Sequence, residues 1–238
     1  MSHQTRQLIV PRWQRELLRL FLTFFAAALV MSLFIFQLHY PDARHLQKTF
    51  VKLDHRKLLH VAQDSFYRNL TAAEARDIAS FNFDHTSAFA YDEIYATLHA
   101  LKSGRSAVVP IYDFVTSSRQ HGGTLVGNAG VVLFDGILAL HYPELRSLFD
   151  FKVFVDTDAD TRLARRIRRD VMDRGRDVLA VLAQYERTVK PSFEEWILPT
   201  RKFADIIVPR GAENTAAIDI LFQHIRYQLA ERGQALPA

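Results

Sequence analysis

Residues 152–171 read KVFVDTDADTRLARRIRRDV, an apolar run at 152–155 followed closely by a helical pattern at 160–171. On a helix advancing 100° per residue, Leu163, Ile167 and Val171 make one apolar stripe. Arg162, Arg165, Arg166 and Arg169 fall within about 100° of arc beside it. A short buried strand feeding an amphipathic helix is the repeating unit of a sheet covered by helices. The unit recurs on either side. Apolar runs at 58–62, 131–134 and 206–208 read as buried strands, and helical patterns lie at 91–101, 178–189 and 215–232. Pro191 is expected to stop the helix at 178–189, and Thr215 to cap the last one. The expected fold class is therefore α/β, a parallel sheet with helices on both faces. Its ligand-binding groups should stand on the loops after the carboxyl ends of the strands.

Upstream the pattern changes near residue 57, dividing the chain into an atypical segment, 1–57, and a domain, 58–238. The first part, expected to be helical, contains an apolar run at 20–36, LFLTFFAAALVMSLFIF, at the short edge of a bilayer-spanning helix. Arginines and lysines flank it almost equally, so no orientation follows, and no A-x-A cleavage site comes after it. A membrane anchor, a buried hydrophobic helix and translated non-coding sequence all remain open for this stretch.

Composition narrows the chemistry. Of the 238 residues, 49% are apolar and 24% charged, an ordinary globular balance, and the net charge of +4 favours anionic ligands. With no cysteine there can be no disulfide or thiolate metal site, and the ten histidines show no HExxH spacing. All nine glycines lie at or after Gly104, which closes the N-terminal part to any glycine-rich phosphate turn.

Polar residues cluster where the strands end. Asp64, in QDSFYRNL, follows a strand run, where a carboxylate can take a proton from a hydroxyl, hold a metal or simply cap the next helix. Its neighbours Phe66 and Tyr67 suit either the wall of a ring-shaped ligand or the core. Asp84, in FNFDH beside Phe83, can accept two hydrogen bonds from vicinal sugar hydroxyls or cap a turn. PIYDFVTSSR, with Tyr112, Asp113 and Arg119, reads as a loop or hairpin beside a ligand, and Gly122, Gly123 and Gly127 beyond it as a flexible loop. Asp135 closes the fully apolar VVLF run, in the manner of a carboxylate that helps hold magnesium. The arginines of 162–169, continued by Arg174 and Arg176, would repel one another by a few tenths of a kcal/mol per pair, repulsion that an arriving polyanion removes. A solvated basic face is the alternative. The patch lacks interleaved aromatics, which argues against RNA, and no nucleic-acid partner is expected.

In chain order, QDSFYRNL, FNFDH, PIYDFV, FDGIL, FKVFVDTDADTRLARRIRRD, RGRD, QYERTVKPSFEEWILPT and ADIIVPRGAENTAAID resemble the uridine–cytidine kinases, P-loop nucleoside kinases with an arginine-rich lid. The resemblance implies transfer of the ATP γ-phosphate, with Mg2+, to the 5′-hydroxyl of uridine or cytidine and a homo-oligomer, commonly a tetramer; the absence of cysteine fits a cytoplasmic setting, with membrane association through 20–36 as the alternative. It implies that Asp64 is the base and that Tyr67, Phe83, Asp84, Tyr112, Arg166, Arg176 and Gln184 surround the nucleoside, Asp84 on the ribose. Arg169 and Arg174 would meet the phosphates, Glu213 the ATP base, and Asp135 the metal. The chain departs from the family at three places. Ser117 stands where the family has a histidine against the pyrimidine, Asp135 replaces a glutamate, and the GxxxxGK[ST] phosphate loop occurs nowhere in the sequence.

Overall fold

The computed structural model describes residues 58–127 and 129–231. The expectations placed on 1–57, including the apolar run at 20–36, lie outside the described residues. Among the described residues no helix is long and apolar enough to cross a membrane.

All four expected strands form, and each ends within a residue or two of the expected bounds. β1 (Leu58–Ala62) leads into a 3-10 turn, Gln63–Phe66, and then to α1 (Ala72–Arg76) and α2 (Tyr91–Lys102). An antiparallel hairpin follows, β2 (Ala107–Asp113) with β3 (Ser118–Val126). β4 (Val131–Asp135) precedes α3 (Pro143–Leu148), and β5 (Val153–Asp156) precedes α4 (Ala159–Met172). After α5 (Val178–Gln184) and α6 (Lys190–Ser192), β6 (Ile206–Pro209) and α7 (Thr215–Glu231) complete the order. β1 pairs in parallel with β4, Ala62 opposite Asp135, and β5 pairs in parallel with β6, Asp156 opposite Pro209. Parallel pairs linked by helical crossovers are the α/β class expected from the alternation.

β4 and β5 have apolar sequences, VVLFD and VFVD, yet most of their residues are only half-buried. A cavity of about 1990 Å3 explains this, because it is lined by consecutive residues of both strands, 131–135 and 153–155, and by Ala62 alone of β1 and none of β6. A strand presents alternate residues to a space above its face and successive residues to a space beside its edge. The cavity therefore runs along the edges of β4 and β5 that their partners β1 and β6 leave free, and among the described residues no strand pairs there.

Two expectations are corrected. Pro191 does not stop the helix: the path continues through α6 into Phe193–Ile197, with π-type turns on both sides of it. Wide i→i+5 turns tolerate the N–H that proline lacks. Gly122 and Gly123 belong to β3 rather than to a flexible loop; Pro110 pairs with Gly123, and a register shift falls between Pro110 and Tyr112.

The ends of β1 and β4 are tied together by a buried side chain. Gln63 accepts the Leu138 N–H through Oε1 at 3.0 Å, and it packs so closely on Gly136 that a Cβ there would overlap its side chain. Gly136→Ala is accordingly expected to cost about 1–3 kcal/mol, read as a lower denaturation midpoint, with Asp64 displaced along with its neighbour Gln63.

Candidate active site

The carboxyl ends of β1 and β4 bring two acids to the same end of the cavity. Asp135 is the last residue of β4, and Asp64 sits two residues beyond β1 in the 3-10 turn. Both line the cavity, as does Asp84. Burial pushes the Asp64 carboxyl well above the ordinary range, and the charges of Asp135 and Asp84 push it further, against the pull of Arg169 and Arg174. Its Oδ1 is buried with no hydrogen-bond partner among the described residues. Asp135 is also raised by burial, opposed by His60, whose Nε2 meets its Oδ1 across the face of the pair. Burial likewise raises Asp84, opposed by Arg166 and Arg169.

Next to Asp64 stands an aromatic wall. The Tyr67 ring stacks on Phe89 at 4.3 Å, meets Phe83 edge-on at 5.8 Å and tilts against Tyr112 at 5.1 Å. Tyr67, Phe83 and Tyr112 all line the cavity, so the cluster is both core and wall, which the sequence left as alternatives. Ser117 lines it too, from the hairpin turn and at φ 51°, a left-handed conformation uncommon for a residue with a side chain.

The arginines form another part of the lining, Arg174 standing over the Phe114 ring at 5.9 Å. α4 and the turn after it put Arg166, Arg169, Arg174 and Arg176 on the cavity with Gln184 of α5, whose Oε1 accepts from Arg166 Nη2 at 3.0 Å. The basic face is thus turned to the cavity instead of bulk water. The repulsion expected among these groups is already offset inside the protein, because one carboxylate, Asp170, lies within 2.7–3.7 Å of all four. Sequence reasoning missed Asp170. Its spacing of four from both Arg166 and Arg174 was the available signal.

Of the residues that the resemblance assigns to the site, Glu213 alone does not line the cavity; Asp113 and Arg119 of the hairpin do not line it either. Glu213 is half-exposed on the turn before α7 and pairs with Arg165, which does line it. Among the described residues no group of three or more His, Asp or Glu side chains is arranged to hold a metal by itself. Asp135, raised by burial at the end of β4 and beside the charge of Asp64, nevertheless fits a magnesium ion that keeps several waters and phosphate oxygens among its ligands.

The family model for the phosphoribulokinase/uridine kinase family matches residues 43–217. Over 181 residues the chain is 45% identical to uridine-cytidine kinase B of Dictyostelium discoideum, covering 76% of this chain and 74% of that protein. It is 49% identical over 180 residues to uridine-cytidine kinase-like 1 of Mus musculus, covering 75% of this chain but only 33% of the mouse protein. The chain thus spans about a third of the length of the long curated relatives it matches. Among solved structures, phosphoribulokinase from Rhodobacter spheroides superposes with a TM-score of 0.50 at 15% identity, covering 72% of this chain and 68% of the other, a likeness of fold.

Proposed function

The chain belongs to the phosphoribulokinase/uridine kinase family, and on that premise we propose that it transfers the γ-phosphate of ATP to the 5′-hydroxyl of uridine or cytidine. The observation that carries this is the Asp64 carboxylate, buried and with one oxygen unpartnered, on a cavity that it shares with aromatic rings and four arginines.

Asp64 takes the 5′-hydroxyl proton. Its raised proton affinity makes it a stronger base than an ordinary aspartate. Asp84 accepts the two ribose hydroxyls, and Tyr67, Phe83 and Tyr112 flank the pyrimidine ring. Arg166, Arg176 and Gln184 close over the nucleoside, while Arg169 and Arg174 gather phosphate oxygens with charge-assisted bonds. Glu213 serves the adenine end, held to the arginine face through Arg165. Bound Mg2+, on the Asp135 side, supplies neutralisation of phosphate charge. A cytoplasmic setting goes with this function, and so does a homo-oligomer. The hairpin offers apolar surface for assembly, since Val108 and Leu125 pair across it and both are exposed.

One observation favours a second reading, a member that binds nucleoside without turnover. No GxxxxGK[ST] occurs in the 238 residues, and loss of a single preorganised donor to a reacting oxygen already costs about 2.7–4 kcal/mol. Incubation of the full chain with ATP, Mg2+ and uridine separates the two. Formation of uridine 5′-monophosphate, followed by chromatography, is the expected result; uridine binding without product identifies the second reading, and neither binding nor product refutes both.

A further inference from the structure

Asp170 stands out among the charged groups that the proposed reaction does not use. Its side chain is completely buried, whereas the side chains of Arg166, Arg169, Arg174 and Arg176 are 19%, 16%, 42% and 35% exposed. All four arginines line the cavity and Asp170 does not, so the carboxylate lies behind them. Arg169 Nε donates to Oδ1 at 2.7 Å and Arg176 Nη1 to Oδ2 at 3.3 Å. Arg174 Nη1 lies 3.4 Å from Oδ1, and Arg166 Nε 3.7 Å from Oδ2. Two of these arginines come from α4 and two from the turn beyond it. Gly175, at φ 61°, reverses the chain between Arg174 and Arg176, and the Arg176 N–H closes the turn on the Asp170 carbonyl at 2.9 Å. One carboxylate thus fastens the turn back onto the helix, hydrogen-bonding two guanidinium groups and standing within 3.7 Å of the other two.

We infer that Asp170 is the positioning residue of the anion-binding face, fixing the arginines in one arrangement that grips a phosphate chain. The inference rests on the proposal that this cavity takes the phosphates of a nucleotide. A bare counter-charge in the same place predicts the opposite sign. Asn at 170 would raise the local positive charge, and if charge alone mattered, a polyanion would bind more tightly. If placement matters, the released arginines repel one another and splay, the paired geometry that guanidinium needs is lost, and binding weakens.

The probe is inorganic tripolyphosphate, titrated calorimetrically into the full chain and into Asp170→Asn, with uridine titrated separately into the wild-type protein. The expected outcome is binding weakened about tenfold or more by Asp170→Asn despite its extra positive charge. Equal or tighter binding by the variant overturns the inference, as does a wild-type protein that takes uridine but not tripolyphosphate. Loss of both ligands by the wild-type protein refutes the functional proposal itself. Since a buried charge cluster stripped of its anion can fail to fold, Arg174→Lys gives a second test at a more exposed position. Placement predicts that Lys, with the charge but without the fork, loses tripolyphosphate affinity as Arg174→Gln does, and a lysine variant equal to wild type overturns the inference.

Discussion

Asp64→Asn is expected to lower phosphoryl transfer to uridine about 10²–10⁴-fold, the span that a positioned general base supplies, and at the same time to raise the melting temperature. The two effects share one cause. Burial and two neighbouring carboxylates hold the Asp64 carboxyl well above its ordinary range, so its ionised form is costly in the folded protein. Well below about pH 4, where unfolded aspartate is itself protonated, native and unfolded chains hold the same proton and the site costs nothing. As pH rises towards the folded value the unfolded chain releases its proton first, and wild-type stability falls. Asn carries no proton to release. The stability gain of the variant should therefore be absent in acid, grow with pH and level off once native Asp64 has ionised. Each unit of upward shift corresponds to about 1.4 kcal/mol, and each kcal/mol moves the melting temperature by about 2–4 °C in a domain of this size. Thermal melts of both proteins at three or four pH values check this. A variant that is inactive and no more stable at pH 8 would mean that Asp64 is not held in a disfavoured state.

Asp84→Ala should weaken uridine binding about 10²-fold or more, because hydrogen bonds to a charged group are worth about 1.5–3 kcal/mol each and two are lost. The loss must go through the ribose. Wild-type protein should bind 2′-deoxyuridine more weakly than uridine, and the variant should scarcely distinguish them, since the carboxylate that reads the 2′-hydroxyl is gone. Removing Asp84 also takes from Arg166 a carboxylate whose charge favours its ionised form. Deoxyuridine and uridine binding equally well to the wild type would remove Asp84 from the ribose.

The strand ends were legible because the strands are short and mostly apolar and break off at polar residues; LLHVA followed by QD, and VVLF followed by D, can be read almost to the residue. The hairpin was harder. In SRQHGGTLV only the last residues are apolar, and the strand exists because it pairs with Val108 and Val109 and not because of its own pattern. Pro191 misled for a similar reason, since one missing N–H stops a regular helix but not one that widens into π turns around it. Eleven of the twelve candidate site residues meet on one cavity, and Glu213 does not. Asp170 was hidden by its company. In a run of arginines an acid looks like local charge balance, and only the reversal at Gly175 turns it into the buried centre of four guanidinium groups. The space along the free edges of β4 and β5 could not be read at all, because it depends on which strands pair.

A calorimetric titration of the full chain with uridine, repeated with Asp84→Ala, tests most directly whether this cavity receives a pyrimidine ribonucleoside. One site per chain, abolished or weakened about a hundredfold in the variant, is the predicted result. Silence with both uridine and cytidine, from a chain whose melt shows it to be folded, would contradict it.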